Sequence, residues 1–102
     1  MDVIAPVGAS IQLQCKNDRG TCRDMYWGMV GHNGDVKIIY LHTNGSRELN
    51  DERYKVKSAD GVCVLRIDDI HYSDAGTYTC GEGVAGVSNQ SRKTATVTVT
   101  GI

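Results

Sequence analysis

The sequence predicts an all-β fold, an antiparallel sandwich or barrel. Three observations favour this class: short runs of alternating apolar and polar residues, turn-forming segments between them, and no stretch with a convincing helical period. The chain has 102 residues and four cysteines, an even number that is typical of a small domain with two disulfides from an oxidising compartment. This length fits one domain over residues 1–102.

Seven alternating runs are the predicted strands. In the clearest one, Ile11, Leu13 and Cys15 alternate with two glutamines, as in a strand with one buried face. Residues 31–35 predict a hairpin loop, residues 70–75 one helical turn at most, and residues 81–91 a long loop. The predicted strands cover Ile11–Cys15, Met25–Val30, Val36–Leu41, Arg53–Lys57, Val62–Asp68, Thr77–Gly81 and Thr94–Thr100.

Composition excludes several classes of protein. The formal net charge of −1 argues against a nucleic-acid-binding protein, which needs a basic face to release counterions. No apolar run reaches the roughly 18 residues of a transmembrane helix. The disulfides together with the lack of a leader sequence predict an excised ectodomain of a type I membrane protein, located on the extracellular side of the plasma membrane.

The sequence predicts no enzyme activity, no metal and no cofactor. The three histidines lie in or beside different loops and lack a nucleophile partner. Phosphate-binding loops, His-Glu-x-x-His and Cys-x-x-Cys pairs are missing. We therefore expect a protein that binds through its loops or a sheet face.

Four residues in a fixed order resemble the immunoglobulin fold. Trp27 follows Cys15 by 12 positions, and Cys80 ends the string Asp-Ala-Gly-Thr-Tyr-Thr-Cys, in which Tyr78 stands two before the cysteine. The 65 residues from Cys15 to Cys80 are similar to the spacing in variable-type (V-set) domains. The resemblance covers residues 3–99.

This resemblance implies a V-set sandwich whose sheets are bridged by Cys15 and Cys80. It implies that Trp27 packs on the bridge and that the Tyr78 hydroxyl holds a nearby loop. Arg53, 21 positions before Asp74, resembles the ion pair that closes the bottom of variable domains; the alternative is two unrelated surface charges. The implied core residues are Trp27, Leu65, Ile67 and Tyr78.

The remaining cysteines, Cys22 and Cys63, are expected to form a second disulfide. In variable-type domains the loop that would hold Cys22 folds inward over the strand that would hold Cys63. Cys63 shares a face with Leu65 and Ile67 and so points inward. The alternative is two free thiols, of which an exposed Cys22 would be a liability in an oxidising compartment.

The residues before the last strand, Ser88–Lys93, lack the Phe/Trp-Gly-x-Gly bulge of rearranged antigen receptors. The strings Trp27–Val30 and Ile38–Leu41, with the polar turn His42–Ser46 and the strand opened by Arg53, resemble the family of the cytotoxic T-cell co-receptor alpha chain. That family implies a homodimer that clamps class I MHC with its loops. The implied ligand-binding loop residues are Asn17, Asp18, Arg19, Arg23, Asp24, His42, Asn44, Arg47, Glu82, Val84, Val87 and Ser88.

The outward sheet face is the predicted dimer surface, because residues next to the inward Trp27, Tyr78 and Cys80 face the opposite way. Two sequons, at Asn44 and Asn89, predict glycosylation. An innate leukocyte receptor and a homophilic adhesion module are the alternative functions. The predicted dimer face consists of Tyr26, Gly28, Val30, Tyr40, Thr79 and Gly81.

Overall fold

The computed structural model describes residues 2–16, 22, 25–31, 33–43, 46–49, 52–59, 61–82 and 93–101. They contain nine strands and a single 3-10 turn, Tyr72–Asp74. No helix among them has the length and apolar character needed to cross a membrane. The strands are β1 (Asp2–Pro6), β2 (Ile11–Lys16), β3 (Met25–Val30), β4 (Val36–Thr43), β5 (Ser46–Leu49), β6 (Tyr54–Ala59), β7 (Val62–Ile67), β8 (Gly76–Glu82) and β9 (Lys93–Thr100).

The strands form two sheets, so the sandwich prediction is confirmed and the barrel alternative does not apply. The larger sheet has the order β1-β9-β8-β3-β4-β5, and the smaller has the order β2-β7-β6. All pairs are antiparallel except β1 with β9. The seven predicted strands match β2, β3, β4, β6, β7, β8 and β9, with ends that differ by up to two residues.

The parallel pairing of β1 with β9 departs from the predicted all-antiparallel arrangement. The chain leaves the larger sheet after Pro6 and enters the smaller one at Ile11. Gly8 makes this crossing with φ of 89°, a left-handed conformation that costs glycine little. Its N–H donates to Ile70 O at 2.8 Å. Because β1 crosses to the other sheet instead of turning back on itself, its direction is free to match that of β9.

The loop between β3 and β4 forms the predicted hairpin. Gly31 N–H donates to Asp35 O at 2.7 Å, and Gly34 N–H donates to Gly31 O at 3.1 Å. Gly34 has φ of 85°, which explains the glycine at this position. The hairpin brings β4 alongside β3 and so extends the larger sheet beyond β8 and β3.

The core fills the space between the two sheets. Alternate residues of β2, Ile11, Leu13 and Cys15, are buried, while the glutamines between them are exposed. The four predicted core residues belong to the same apolar cluster, each with 2% or less of its surface exposed. They are Trp27, Leu65, Ile67 and Tyr78.

Candidate functional site

Both predicted disulfides are present. Cys15 in β2 bonds Cys80 in β8 and joins the two sheets, with the Cα atoms 6.4 Å apart. Cys22 bonds Cys63 in β7, with the Cα atoms 4.8 Å apart. Cys15 lies opposite Cys63 in the β2–β7 register, so the two bridges start from neighbouring positions of the smaller sheet.

The backbone of Cys22 is held by two further contacts besides its disulfide. Its N–H donates to Ser58 Oγ at 2.9 Å, and its carbonyl accepts from the Tyr40 hydroxyl at 3.2 Å. Trp27 Nε1–H points at Cys63 Sγ, 3.4 Å away. The disulfide and these hydrogen bonds together therefore tie Cys22 to both sheets.

Arg53 and Asp74 form the ion pair that the sequence predicted. Arg53 Nη1 and Nη2 donate to the two carboxylate oxygens of Asp74 at 2.7 and 3.0 Å. The His71 N–H donates to the same carboxylate at 2.7 Å, and the Tyr78 hydroxyl donates to the Asp74 carbonyl at 2.6 Å. The carboxylate is almost fully buried and meets three donors, so this cluster fastens the 3-10 turn to β6 and β8.

The surroundings of Asp74 lower the pKa of its carboxyl below the ordinary value of 3.8. Burial raises this pKa, but the hydrogen bonds from Arg53 and the His71 N–H, with the charge of Arg53, outweigh burial. Burial also raises the pKa of the Tyr78 phenol above 10, and Tyr78 therefore stays a hydrogen-bond donor at neutral pH.

The predicted dimer face needs correction, because five of its six residues are buried within the chain. Tyr26 and Thr79 are 1% and 0% exposed. The Tyr26 ring lies over Gly81, where an added Cβ would be 2.9 Å from the ring. The ring thus lies along the sheet instead of projecting from it. The buried members are Tyr26, Gly28, Tyr40, Thr79 and Gly81, and Val30 is half-buried.

Tyr40 points into the core and not outward. It belongs to the apolar cluster, and its hydroxyl donates to Cys22 O. The β3–β4 register shifts between Trp27 and Gly28, so that Ile39 is left without a partner between Ile38 and Tyr40. One extra residue reverses the face of every side chain beyond it, which strict alternation along β4 could not predict.

The outer surface of β4, β3, β8 and β9 is instead an aliphatic–threonine face. Its valines and isoleucine are half-buried, and its threonines are half-buried or exposed. Gly28 shapes this face, since a Cβ there would overlap the Val36 side chain. We define the aliphatic–threonine face as Val30, Val36, Ile38, Thr77, Thr94 and Thr96.

A groove of about 660 Å³ continues this face at the hairpin end of the sheet. Val30, Val36 and Thr77 line both the groove and the face. Asp35 and Lys37 supply charged groups at the groove. The groove therefore joins apolar surface to one acidic and one basic side chain.

The opposite outer surface, on the smaller sheet, carries long polar side chains. β2 and β6 contribute exposed residues that alternate with core residues, and β7 contributes the exposed Arg66. Sequence reasoning missed this surface because the net charge of the chain hides it, although Lys55 and Lys57 are spaced for one face of a strand. We define the basic face as Gln12, Gln14, Lys16, Lys55, Lys57 and Arg66.

The predicted ligand-binding loops and glycosylation sites lie outside the described residues, and so do the side chains of His42, Arg47 and Glu82. Among the residues that are described, no group of three histidine, cysteine or acidic side chains is placed to hold a metal ion. The loop and glycan residues concerned are Asn17, Asp18, Arg19, Arg23, Asp24, Asn44, Val84, Val87, Ser88 and Asn89.

Comparisons with known proteins agree with this architecture. The immunoglobulin V-set domain family matches residues 1–100. Protein amalgam of Drosophila melanogaster is 26% identical over 98 residues, covering 90% of this chain and 29% of that protein. Lachesin of Schistocerca americana is 27% identical over 89 residues, covering 85% of this chain and 25% of that protein. The chain thus spans less than a third of either relative.

Proposed function

Because the chain belongs to the immunoglobulin V-set family, we propose that it is a non-catalytic, extracellular adhesion module that binds a second copy of itself. V-set domains are typically binding domains without catalytic activity. The two insect relatives are cell-adhesion proteins of the immunoglobulin superfamily. This kinship favours adhesion over the class I MHC co-receptor function that the sequence motifs suggested.

The observation that carries the proposal is the aliphatic–threonine face. None of its six residues carries a charge, so another surface can cover it without the cost of desolvating an ion. Val30, Val36 and Ile38 are half-buried, which leaves apolar area that association would remove from water. The hydrogen bonds of the β3–β4 hairpin and the close packing at Gly28 set the shape of this face before binding, which lowers the entropic cost of association.

The groove beside this face supports a second copy as the partner. A contact between identical copies with two-fold symmetry places each residue pair twice. Asp35 and Lys37 flank the same groove, so a two-fold contact lets the Asp35 carboxylate of each copy meet the Lys37 ammonium of the other. The surface is complementary to itself in charge as well as in polarity.

Self-association measured on the purified chain and on coated beads tests the proposal. Thr96→Glu puts a charge on an exposed position of the face, and Gln12→Glu puts the same charge on an exposed position of the other sheet. We expect beads coated with the wild-type chain to aggregate, Thr96→Glu to weaken self-association about tenfold or more, and Gln12→Glu to match the wild type. A wild-type chain that stays monomeric and does not aggregate beads would refute the proposal, as would equal losses in both variants.

Class I MHC binding remains a prediction of the motif resemblance. It depends on loops around residues 17–24, 42–47 and 82–91 and on a homodimer. Surface plasmon resonance with class I MHC of the same species tests it directly. Because the implied clamp needs the homodimer, Thr96→Glu should weaken MHC binding together with self-association.

A further inference from the structure

The basic face concentrates positive charge on a chain whose net charge is −1. All six residues of this face are exposed. Its four basic residues are Lys16, Lys55, Lys57 and Arg66. The described residues of the aliphatic–threonine face on the other sheet carry no charge. The sandwich therefore carries the uncharged aliphatic–threonine face on one sheet and the basic face on the other.

The strand register sets the spacing of the cations. Lys55 lies opposite Arg66 on the neighbouring strand, which places their Cβ atoms about 5 Å apart. Lys57 lies two residues along β6 from Lys55 on the same side of the sheet, about 7 Å away. Lys57 and Gln14 flank Val64 in the register. The result is an array of donors spread over neighbouring strands and not a single pocket.

Asp68 organises two of these cations without neutralising the array. Its carboxylate accepts from Lys55 Nζ at 2.8 Å and from Arg66 Nε at 2.7 Å. These hydrogen bonds hold the pKa of Asp68 well below its usual range, so it stays ionised. One carboxylate faces the two cations Lys55 and Arg66, Lys57 adds a further cation beside them, and the contact through Nε leaves the two terminal guanidinium nitrogens of Arg66 outside it. Both side chains are thus held in place before any anion binds.

We propose that the basic face binds a sulfated polysaccharide chain. Such a chain carries permanent negative charges along an extended backbone, which suits donors spread across three strands. Displacement of counterions from the polyanion supplies the binding free energy. This inference concerns the sheet opposite the proposed adhesive face and does not depend on self-association.

Other anionic partners fit this face less well. A membrane surface would be met by large exposed apolar residues that insert among lipids, but the large exposed ones in the described part of the chain, Ile4 and Tyr72, lie elsewhere. A protein partner needs apolar anchors that become fully buried. Val64, an apolar residue on this surface, is already only 3% exposed, as expected when long flanking side chains cover it.

Retention on immobilised heparin, eluted with a sodium chloride gradient, tests the inference. Lys57→Gln removes one charge from the basic face, and Lys93→Gln removes one charge from β9 in the other sheet. We expect the wild-type chain to be retained at physiological ionic strength, about 0.15 M, and Lys57→Gln to elute at lower salt. Lys93→Gln should elute with the wild type. The slope of log affinity against log salt should fall by about one in Lys57→Gln.

Two further probes identify the polyanion. Desulfated heparin should fail to retain the wild-type chain, and vesicles of phosphatidylserine and phosphatidylcholine should bind it more weakly than heparin does. The inference is overturned if the wild-type chain is not retained at physiological ionic strength, or if the two lysine variants shift equally. It is also overturned if desulfated heparin binds as well as heparin, or if the vesicles bind at least as tightly.

Discussion

The Asp74 carboxylate shows how one residue fastens several parts of this fold. It accepts two hydrogen bonds from Arg53 and one from the His71 N–H, while its backbone carbonyl accepts the Tyr78 hydroxyl. The carboxylate is nearly buried, and the Arg53 side chain is about one-quarter exposed. The burial of this pair is thus intermediate between that of surface ion pairs, which contribute little stability, and that of buried ion pairs, whose loss is costly.

We expect Asp74→Asn to lower the free energy of unfolding by about 2 kcal/mol at neutral pH, because it leaves the Arg53 charge without its carboxylate. Urea denaturation followed by Trp27 fluorescence measures the change. Asp69→Asn is the matched control, since Asp69 is exposed and has φ of 52°, a conformation that asparagine tolerates. A loss in Asp69→Asn as large as that in Asp74→Asn would contradict the assignment.

The same variant has a defined effect on acid stability. The pKa of Asp74 is lower in the folded chain than the ordinary value of 3.8. Its contribution is therefore complete above that value and disappears as the pH falls through the folded pKa. Between pH 4 and pH 2 we expect the stability of Asp74→Asn to fall less steeply than that of the wild type. The sensitivity that remains belongs partly to Asp68, whose pKa is also lowered.

At the scale of elements, the second disulfide joins β7 to the segment that precedes β3. Cys22 and Cys63 are 41 residues apart and lie within the longer loop closed by Cys15 and Cys80. Replacing both with alanine should cost about 3 kcal/mol, since the unfolded chain regains the freedom that the nested bridge removes. Thermal unfolding measures the cost in the double variant, and a melting temperature equal to that of the wild type would disprove it.

Most elements of this fold could be predicted from period-two patterns, and the exceptions have local causes. The strand β2 of the smaller sheet alternates cleanly over Ile11–Lys16, because one side faces the core and the other faces water. The inward orientation of Tyr40 was not predicted, because a bulge at Ile39 reverses the alternation. The strand β1 escaped because its sequence, Asp-Val-Ile-Ala-Pro, is short and its parallel partner lies at the other end of the chain.

The candidate sites were harder to predict than the fold. The Arg53–Asp74 pair could be predicted because its spacing resembles that of the ion pair in variable domains. The basic face could not, because its cations come from three strands and the net charge of −1 averages them with acidic residues elsewhere. Only the register of β2, β7 and β6 brings Lys16, Lys57 and Arg66 onto one surface.

At the scale of the whole molecule, the two outer surfaces of the sandwich should respond to salt in opposite ways. Contact through the uncharged aliphatic–threonine face depends mainly on apolar burial, which added salt does not screen. The exposed Asp35–Lys37 pairs at the groove contribute little, so their screening changes the affinity only slightly. Binding of a polyanion to the basic face depends on counterion release and weakens steeply with salt. We therefore expect self-association to change little between about 0.05 M and 0.3 M sodium chloride, while heparin affinity falls by at least tenfold.

The same separation predicts that the two interactions are independent. The faces lie on different sheets of a sandwich whose core separates them, so a short heparin fragment bound to Lys55, Lys57 and Arg66 should not touch Thr96. Sedimentation with saturating fragment should give the same self-association constant as without it, because sites without shared contacts have no coupling free energy. A fragment that dissociates the self-associated form would show that both partners use one surface. The assignment of self-association to one sheet and polyanion binding to the other would then be wrong.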